Sequence, residues 1–286
     1  MSSPKNMSSN SIPAKWMPYL LSLVRIIYGF LIVRHGMEQW FGYPEASDAP
    51  MMSVQGIVEL VEFPAGLLLM LGLFTRPAAL LVSVFVGISY FAGPALRGPW
   101  PIRNGGDPVI LTSLLFLFVA AAGTGAWSLD RSLRRKEPVP SRWTPYALSI
   151  LQIGAGLIFF QHGIEKLFGF ASSRVEQDLL TVRGIGGILE TFGGPLISLG
   201  LFTRITAFIL SGEMAVAYFR SWAPRGFWPS FQGPGMEASI LFCYLYLFFF
   251  AAGAGPWSLD SLIKAVRAKK GVKAHSEKLQ QSVQSR

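Results

Sequence analysis

The chain has 286 residues, of which 51% are hydrophobic and only 14% charged. Soluble domains carry roughly a quarter charged residues, so this chain has too little charge to cover a soluble surface. The single cysteine, Cys243, excludes a disulfide framework and cysteine-based zinc or redox pairs. The net charge of +9 comes from basic residues gathered in the tails and a central linker, a pattern that indicates membrane orientation and not nucleic-acid binding.

An internal duplication organises the chain. The string "LGLFTR" at 71–76 recurs at 199–204, and "WSLD" at 127–130 recurs at 257–260. The strings that begin with His35 and His162, "HGMEQWFG" and "HGIEKLFG", are also related. These matches occur in the same order, so they predict two copies of one unit, covering about residues 20–133 and 147–263.

Each copy contains four stretches that qualify as membrane spans, which need about 20 mostly apolar residues. They lie at 18–41, 53–74, 77–96 and 107–126 in the first copy, and at 146–168, 182–202, 204–222 and 236–256 in the second. The predicted fold is therefore all-α, a polytopic membrane protein with eight transmembrane helices in two parallel four-helix repeats. The predicted regions are an N-terminal tail (1–17), a first repeat (18–133), a basic linker (134–145), a second repeat (146–263) and a basic tail (264–286).

The distribution of basic residues predicts the orientation in the membrane. Most Lys and Arg residues lie in the tails, the linker and the two Thr-Arg turns, which eight spans place on one side. The positive-inside rule puts that side, with both termini, in the cytoplasm. We therefore expect a multi-pass protein of the plasma or bacterial inner membrane. An even number of spans per copy makes the repeats parallel, not inverted.

Ionisable residues recur at equivalent places inside the apolar stretches. An ionised group in the bilayer costs about 2.5–3.5 kcal/mol even on lenient insertion scales, so such groups should face the bundle interior and pair. We expect each copy to hold its own polar cluster in the outer half of the membrane, and His162 to pair with Glu190. The first cluster would contain His35, Glu38, Glu62 and Asp107, and the second His162, Glu165, Glu190 and Glu237.

A further glutamate, Glu213, lies in the middle of a span where the first copy has Phe85. With Arg220 two turns away as its expected partner, it is the candidate for a proton path. A structural interpretation stays open for Arg34, Glu38, Glu165 and Lys166, which lie near the membrane edge and could neutralise one another. Arg25 is expected to reach the cytoplasmic headgroups, and "LGLFTR" and "WSLD" are interpreted as a structural turn and the start of a surface helix.

The sequence predicts no metal site and shows no cofactor-binding motif. Di-iron bundles use Glu-x-x-His on two helices, whereas this chain has His-x-x-Glu on one helix per copy and only three histidines in all. We find no P-loop, dinucleotide fingerprint or haem attachment motif in the sequence. If the chain takes part in redox chemistry, a quinone would have to be the carrier, or a partner subunit would hold the cofactor.

These residues resemble the DoxX/DoxD family of four-helix bacterial membrane proteins. The resemblance rests on "HGxxK" at His162–Lys166, on Glu190 followed by "LGLxTR", and on a final "GxGxWSLD" in both copies. The first copy has Gln39 in place of the Lys and Asp107 in place of the Glu that follows "NGG" in the family, and the second lacks that "NGG" before Glu237. The resemblance implies a membrane subunit of respiratory or detoxifying redox systems, including thiosulfate-to-quinone electron transfer.

The functional expectation is a redox-linked membrane subunit that binds quinone or another small molecule at the His/Glu clusters. A His–carboxylate pair supplies the hydrogen bonds and the proton exchange that a quinone headgroup requires. The expected partners are membrane lipid and a redox subunit, and the oligomeric state cannot be read from the sequence. Two alternatives stay open, namely an assembly subunit without catalysis and a small-molecule transporter that uses the interface between the repeats.

Overall fold

The computed structural model describes residues 12–43, 46–134, 140–170, 175–176, 178–225 and 234–284, and within these ranges it contains helices and no strand. The predicted all-α fold is confirmed. The helices are α1 Ile12–Phe41, α2 Val54–Leu71, α3 Thr75–Ala92, α4 Pro101–Asn104, α5 Asp107–Ala122, α6 Leu129–Arg134, α7 Thr144–Phe168, α8 Val182–Leu199, α9 Thr203–Ala217, α10 Pro234–Ala252 and α11 Leu259–Gln284. A π-helical segment, Tyr218–Trp222, extends α9.

A helix occupies each of the eight predicted membrane spans. Five helical segments are long and apolar enough to cross a membrane, and they comprise Lys15–Phe41, Val54–Leu71, Thr75–Arg97, Thr144–Phe168 and Gly235–Ala252. Helix α5 is a shorter apolar helix. Helices α8 and α9, of 18 and 15 residues, lie where the remaining two spans are predicted. The chain is a helical membrane protein.

The two repeats interlock through their fourth helices. Within each repeat, helix one packs on helix two and helix three on helix four, as α1 on α2, α3 on α5, α7 on α8 and α9 on α10. In addition, α10 packs against α1 and α5 packs against α7. Each fourth helix therefore lies between helix three of its own repeat and helix one of the other repeat.

Aromatic side chains fill the region where the repeats meet. Tyr28, Phe116, Phe159, Phe242 and Tyr246 are each at most 1% exposed. The ring of Phe159 lies 4.9 Å from that of Phe242 and 5.0 Å from that of Tyr246, measured between centroids. Such close edge and tilted contacts indicate a packed interior, not a passage, between the repeats.

The repeated motifs "LGLFTR" and "WSLD" form one structural unit. In the first repeat the Asp130 carboxylate accepts hydrogen bonds from the backbone N–H groups of Phe74, at 3.0 Å, and Thr75, at 2.9 Å. These are N-terminal groups of α3, which lack partners within the helix. Asp260 does the same for Phe202 and Thr203. The aspartate of the second motif thus caps the helix that begins in the first.

Arg25 is buried, so the prediction that it reaches the headgroups is wrong. Its side chain is 0% exposed, and its guanidinium donates to the carbonyl oxygens of Leu69 and Trp127. The last carbonyls of a helix have no partner within the helix, and those of α2 are close enough for the guanidinium to satisfy them. Gln152 occupies the equivalent position in α7 and donates to the Ile197 carbonyl at 2.7 Å.

Candidate functional site

Two cavities lie at one end of the bundle, the end at which α1 and α7 finish and α2 and α8 begin. We call this the charged end. The first cavity, of about 420 Å³, is lined mainly by the first repeat and by Glu237; its ionisable lining residues are Arg34, His35, Glu38, Glu59, Glu62 and Glu237. The second cavity, of about 770 Å³, is lined by the second repeat; its ionisable lining residues are His162, Glu165, Lys166, Glu176, Arg183, Glu190, Glu213 and Arg220.

Five of the six ionisable groups of the first cavity are joined in one network. Arg34, itself 7% exposed, lies with its guanidinium 3.0 Å from the Glu38 carboxylate and 3.1 Å from that of Glu237. The His35 Nε2 atom lies 3.4 Å from Glu237, and its Nδ1 atom lies 3.9 Å from Glu62. Glu237 therefore faces two basic side chains of α1.

Glu59 also has partners on the side of the first cavity. Its carboxylate accepts from Ser47 at 2.6 Å and from Gln55 at 2.8 Å. Gln55, Glu59 and Glu62 recur at helical spacing along α2 and line the cavity together. These hydrogen bonds join Glu59 to the segment that precedes α2 and to the first turn of α2.

In the second cavity the partners differ from the predicted ones. The His162 Nε2 atom lies 2.8 Å from the Asp107 carboxylate, and the Lys166 ammonium lies 2.5 Å from Glu190. The predicted pairing of His162 with Glu190 is not formed. Lys166 is one turn beyond His162 on α7 and reaches Glu190 on α8, while α5 brings Asp107 to the imidazole.

The prediction that each repeat contains its own cluster is therefore wrong. Glu237 of the second repeat completes the first-repeat network, and Asp107 of the first repeat pairs with the second-repeat histidine. The physical reason is the packing of α10 on α1 and of α5 on α7. The carboxylate at the start of each fourth helix is thereby placed against the histidine of the other repeat.

Two buried carboxylate oxygens of the second cavity have no hydrogen-bond partner, namely Oε2 of Glu190 and Oε2 of Glu213. Glu190 is 1% exposed. A Cβ atom added at Gly186 would lie 3.0 Å from Oε1 of Glu213 and 3.9 Å from Nζ of Lys166. The glycine on α8 therefore leaves room for Glu213 and for Lys166, whose ammonium pairs with Glu190.

The predicted partnership of Glu213 with Arg220 is not found among the described residues. Arg220 lines the second cavity from the π-helical segment, but no ion pair joins it to Glu213. Glu165 lies 3.7 Å from Arg183, at a half-exposed position on the rim of the cavity. The pair at the rim is thus distinct from the buried Lys166–Glu190 pair.

The second cavity opens sideways between α8 and α9. Ile185, Ile209 and Val216 line it and are 47%, 48% and 53% exposed, so they also belong to the outer surface of the bundle. Gly212 on α9 lies in the same lining, and a Cβ atom added there would meet nothing within 4 Å. In a membrane protein this outer surface faces lipid. We call this opening the lateral window.

The first repeat has larger or apolar residues where the window lies in the second. Aligning the two "LGLFTR" strings places Val58, Val84 and Phe85 at the positions of Gly186, Gly212 and Glu213. Val58 is 2% exposed and fills the space that Gly186 leaves open. The mismatch of Glu213 with Phe85 is visible in the sequence, and the two glycine mismatches are visible there too, but only the packing shows that all three meet at one opening.

Among the described residues, no group of three or more His, Cys, Asp or Glu side chains has an arrangement suited to a metal ion. His35 faces Glu237, which also pairs with Arg34, and His162 faces Asp107, one turn before the Lys166 that pairs with Glu190. The charged groups form ion pairs, and in the second cavity Oε2 of Glu190 and Oε2 of Glu213 stay without a hydrogen-bond partner.

The sequence model of the DoxX family matches the chain twice, over residues 20–94 and 147–221. The two matches cover more than half of the chain and coincide with the first three helices of each repeat. The chain belongs to the DoxX family. The predicted family resemblance and the tandem duplication are both confirmed.

Several bacterial membrane and other proteins are similar to this DoxX chain. A protein of Haemophilus influenzae, described only as uncharacterized, is 37% identical over 132 residues, which cover 43% of this chain and 96% of the relative. The inner membrane protein YphA of Escherichia coli is 33% identical over 131 residues, 40% of this chain and 90% of the relative. An uncharacterized membrane protein of Mycobacterium tuberculosis is 27% identical over 159 residues, 50% of this chain and 92% of the relative.

These relatives are almost fully covered by about half of this DoxX chain, as expected when one relative corresponds to one repeat. No solved structure matches the chain.

Proposed function

We propose that this DoxX protein is a membrane subunit of a redox system and that it binds a quinone in the second cavity. The observation that carries the proposal is the combination of a polar interior with an apolar lateral window. A lipid-soluble molecule with a polar headgroup can enter such a cavity from the bilayer while its tail stays among apolar side chains. The volume of about 770 Å³ lies within the range of about 300–1,000 Å³ typical of small-molecule sites.

The ionisable residues of the second cavity have distinct roles in this proposal. Lys166 and His162 are the hydrogen-bond donors for a headgroup oxygen, and each is held in place by a carboxylate partner. Glu190 and Glu213 have oxygens free to accept a proton. A bound quinone supplies exchange of two electrons and two protons, and a partner redox subunit exchanges the electrons with it. Arg220 lies in the same lining and favours an anionic proton acceptor there.

The first repeat acts as a scaffold in this proposal. Its cavity is smaller, its arginine and histidine are both paired with carboxylates, and Phe85 replaces the second glutamate. The transporter alternative is not favoured, because the described interface between the repeats is filled by Tyr28, Phe159 and Tyr246. The assembly alternative predicts that closing the lateral window leaves the amount of bound quinone unchanged.

Closing the lateral window tests the proposal. The variant Gly212→Val introduces the valine that the first repeat has at the equivalent position, Val84. A Cβ atom added at Gly212 meets no neighbour, so the fold should be retained. We expect quinone extracted from the purified protein in mild detergent to fall at least tenfold, whereas the matched control Val84→Gly should retain the wild-type amount. Equal retention by Gly212→Val and the wild type, or no binding of added quinone by the wild type, would favour the assembly role.

We further propose that the chain lies in the bacterial inner or plasma membrane with both termini in the cytoplasm. The basic linker and tails support this orientation. In a Cys243→Ser background, a cysteine at Ser132 should react with an impermeant thiol reagent only in inverted vesicles, and a cysteine at Ala49 only in intact cells. Labelling of position 132 in intact cells would overturn the orientation.

A further inference from the structure

We propose that the first turns of α11, residues 259–270, lie along the face of the membrane and bind anionic lipid headgroups. We call this stretch the surface segment. It begins at the end of the bundle opposite the charged end, where α10 finishes. The proposal therefore concerns a surface remote from both cavities and does not rest on the binding of quinone.

Exposed aromatic side chains mark the level at which the surface segment begins. Trp257, two residues before α11, is 54% exposed and lies 5.6 Å from Tyr146, measured between ring centroids. Trp127 and Tyr19 make the equivalent contact in the first repeat, at 5.7 Å. Tryptophan and tyrosine side chains in membrane proteins collect at the level of the lipid headgroups. Helix α11 therefore begins at the boundary between membrane and water.

Hydrogen bonds tie the first turn of the surface segment to the bundle. The Asp260 carboxylate accepts from the backbone N–H groups of Phe202 and Thr203, each at 3.0 Å. The backbone N–H group of Asp260 donates to the carbonyl oxygen of Gly200 at 2.9 Å. These bonds hold the start of α11 against the turn between α8 and α9. The segment is thereby kept at the level of the headgroups.

The surface segment exposes an apolar stripe. Leu259, Leu262, Ile263 and Val266 lie at the spacing of one helical face. The last three are 59%, 37% and 45% exposed. An apolar stripe of this kind is stabilised when it enters the boundary between headgroups and acyl chains, because its side chains leave water. A helix that begins at this boundary can bury the stripe by lying in the plane of the membrane.

Basic residues border the apolar stripe. Arg267 and Lys269 lie on its two sides, and Lys270 follows Val266 after one turn; all three are exposed. The single acidic residue of the surface segment, Asp260, already accepts hydrogen bonds from α9. Long basic side chains can keep their stems along an apolar boundary while their charges reach headgroup phosphates. The negative surface potential of an anionic membrane attracts such residues, so this charge favours anionic over neutral lipid.

The experiment measures whether the stripe leaves water in membranes of two compositions. The full chain is placed in nanodiscs of phosphatidylcholine alone, or of equal parts phosphatidylcholine and phosphatidylglycerol. In a Cys243→Ser background, a polarity-sensitive fluorophore is attached through Val266→Cys on the stripe or Ala268→Cys on the opposite face. We expect the emission at position 266 to rise at least about threefold from the neutral to the anionic membrane, and that at position 268 to change little.

The need for basic charge is tested by changing the residues that border the stripe. With Arg267→Gln, Lys269→Gln and Lys270→Gln combined, the response at position 266 should fall to less than about a third. The matched control is Lys264→Gln, because Lys264 lies on the far face, two residues from both Leu262 and Val266, and it should keep the response. Added sodium chloride should weaken the response, since salt screens exposed charges.

Each contrary outcome would overturn the proposal. An equal signal at position 266 in the two membranes would show that anionic headgroups are not recognised, and an equal response at positions 266 and 268 would show that the stripe does not face lipid. Water-exposed emission from both positions in both membranes would leave the stripe to a protein partner. The comparison of the two membranes with all basic residues present decides the matter even if the combined variant does not fold.

Discussion

The two cavities share one plan and differ in how completely their charged groups are paired. In the first, Arg34 lies between Glu38 and Glu237, and the network leaves no described carboxylate oxygen buried and unpaired. In the second, Glu190 has one partner for two oxygens and Glu213 has an oxygen with none. A duplicated unit can thus leave no described carboxylate oxygen buried and unpaired in the lining of one cavity, while the lining of the other keeps two buried carboxylate oxygens without a partner.

The largest difference in stability between the repeats should follow removal of Glu237 or of Asp107. Each of these carboxylates pairs with the histidine of the other repeat. Glu237→Ala would leave the buried Arg34 guanidinium with Glu38 alone and His35 with only distant Glu62. We expect a loss of about 3–5 kcal/mol in the free energy of unfolding, as for breaking other buried ion pairs. Asp107→Ala leaves a histidine that can be neutral, and should cost about 1–3 kcal/mol.

Denaturation by sodium dodecyl sulfate, followed by circular dichroism, would measure both losses. The conservative change Glu237→Gln keeps the shape of the side chain and separates loss of charge from loss of packing. Equal costs for Glu237→Ala and Asp107→Ala would contradict the distinction between a paired first cavity and an open second one.

The buried donors at the opposite end of the bundle should differ less. Arg25→Ala removes a charged donor from several carbonyls and should cost about 2–3 kcal/mol, since hydrogen bonds to charged groups are the stronger ones. Gln152→Ala removes a neutral side chain and should cost about 1 kcal/mol, the usual size for membrane hydrogen bonds. The same denaturation measurement applies. Arg25→Gln should cost less than Arg25→Ala, because the equivalent Gln152 donates to a carbonyl at the end of α8.

The helix caps should show no difference between the repeats. Asp130→Ala and Asp260→Ala each remove a carboxylate that accepts from two backbone N–H groups at 2.9–3.0 Å. Loss of a capping side chain typically costs about 0.5–2 kcal/mol, and we expect the two values to agree within about 0.5 kcal/mol. A much larger cost in one repeat would show that its cap also holds that repeat's fourth helix in place.

The smallest change in stability should come from substitution of Gly212 at the lateral window. Gly212→Val places a side chain in open space and replaces the poorer helix former, so the free energy of unfolding should change by less than about 0.5 kcal/mol. A loss greater than about 2 kcal/mol would mean that α9 packs more closely on α8 than the open space at Gly212 indicates. The reduced quinone retention of this variant would then reflect misfolding.

Most of the fold could be predicted from the sequence because repeated strings and apolar stretches, which are local patterns, determine it. The "LGLFTR" and "WSLD" strings show the duplication, and the apolar stretches predict the helices that the structure contains. The cap made by Asp130 was not predicted, because it joins residues that are far apart in sequence. The same holds for Arg25, whose partners become visible only when the end of α2 is placed beside α1.

The residues of the candidate site were predicted better than their partners. His162, Glu190, Glu213 and Asp107 could be recognised as ionisable groups in apolar sequence. Which of them pair depends on which helices are neighbours, and hydrophobic patterning does not tell one apolar neighbour from another. In a membrane the helices have no strong hydrophobic preference among partners, so packing detail decides their arrangement. The assignment of these residues to ligand binding stays a prediction.

The crossing of the fourth helices also sets an order for assembly. Arg34 and Glu237 are 203 residues apart in the chain, so Arg34 enters the membrane long before its partner on α10 is synthesised. Asp107 and His162 belong to consecutive large helices and can meet while α10 is still unmade. Contacts between distant segments form late and leave earlier segments exposed in the meantime. The first cavity should therefore be the last part of the bundle to form during biosynthesis, because Arg34 on α1 cannot pair with Glu237 until α10 has been inserted.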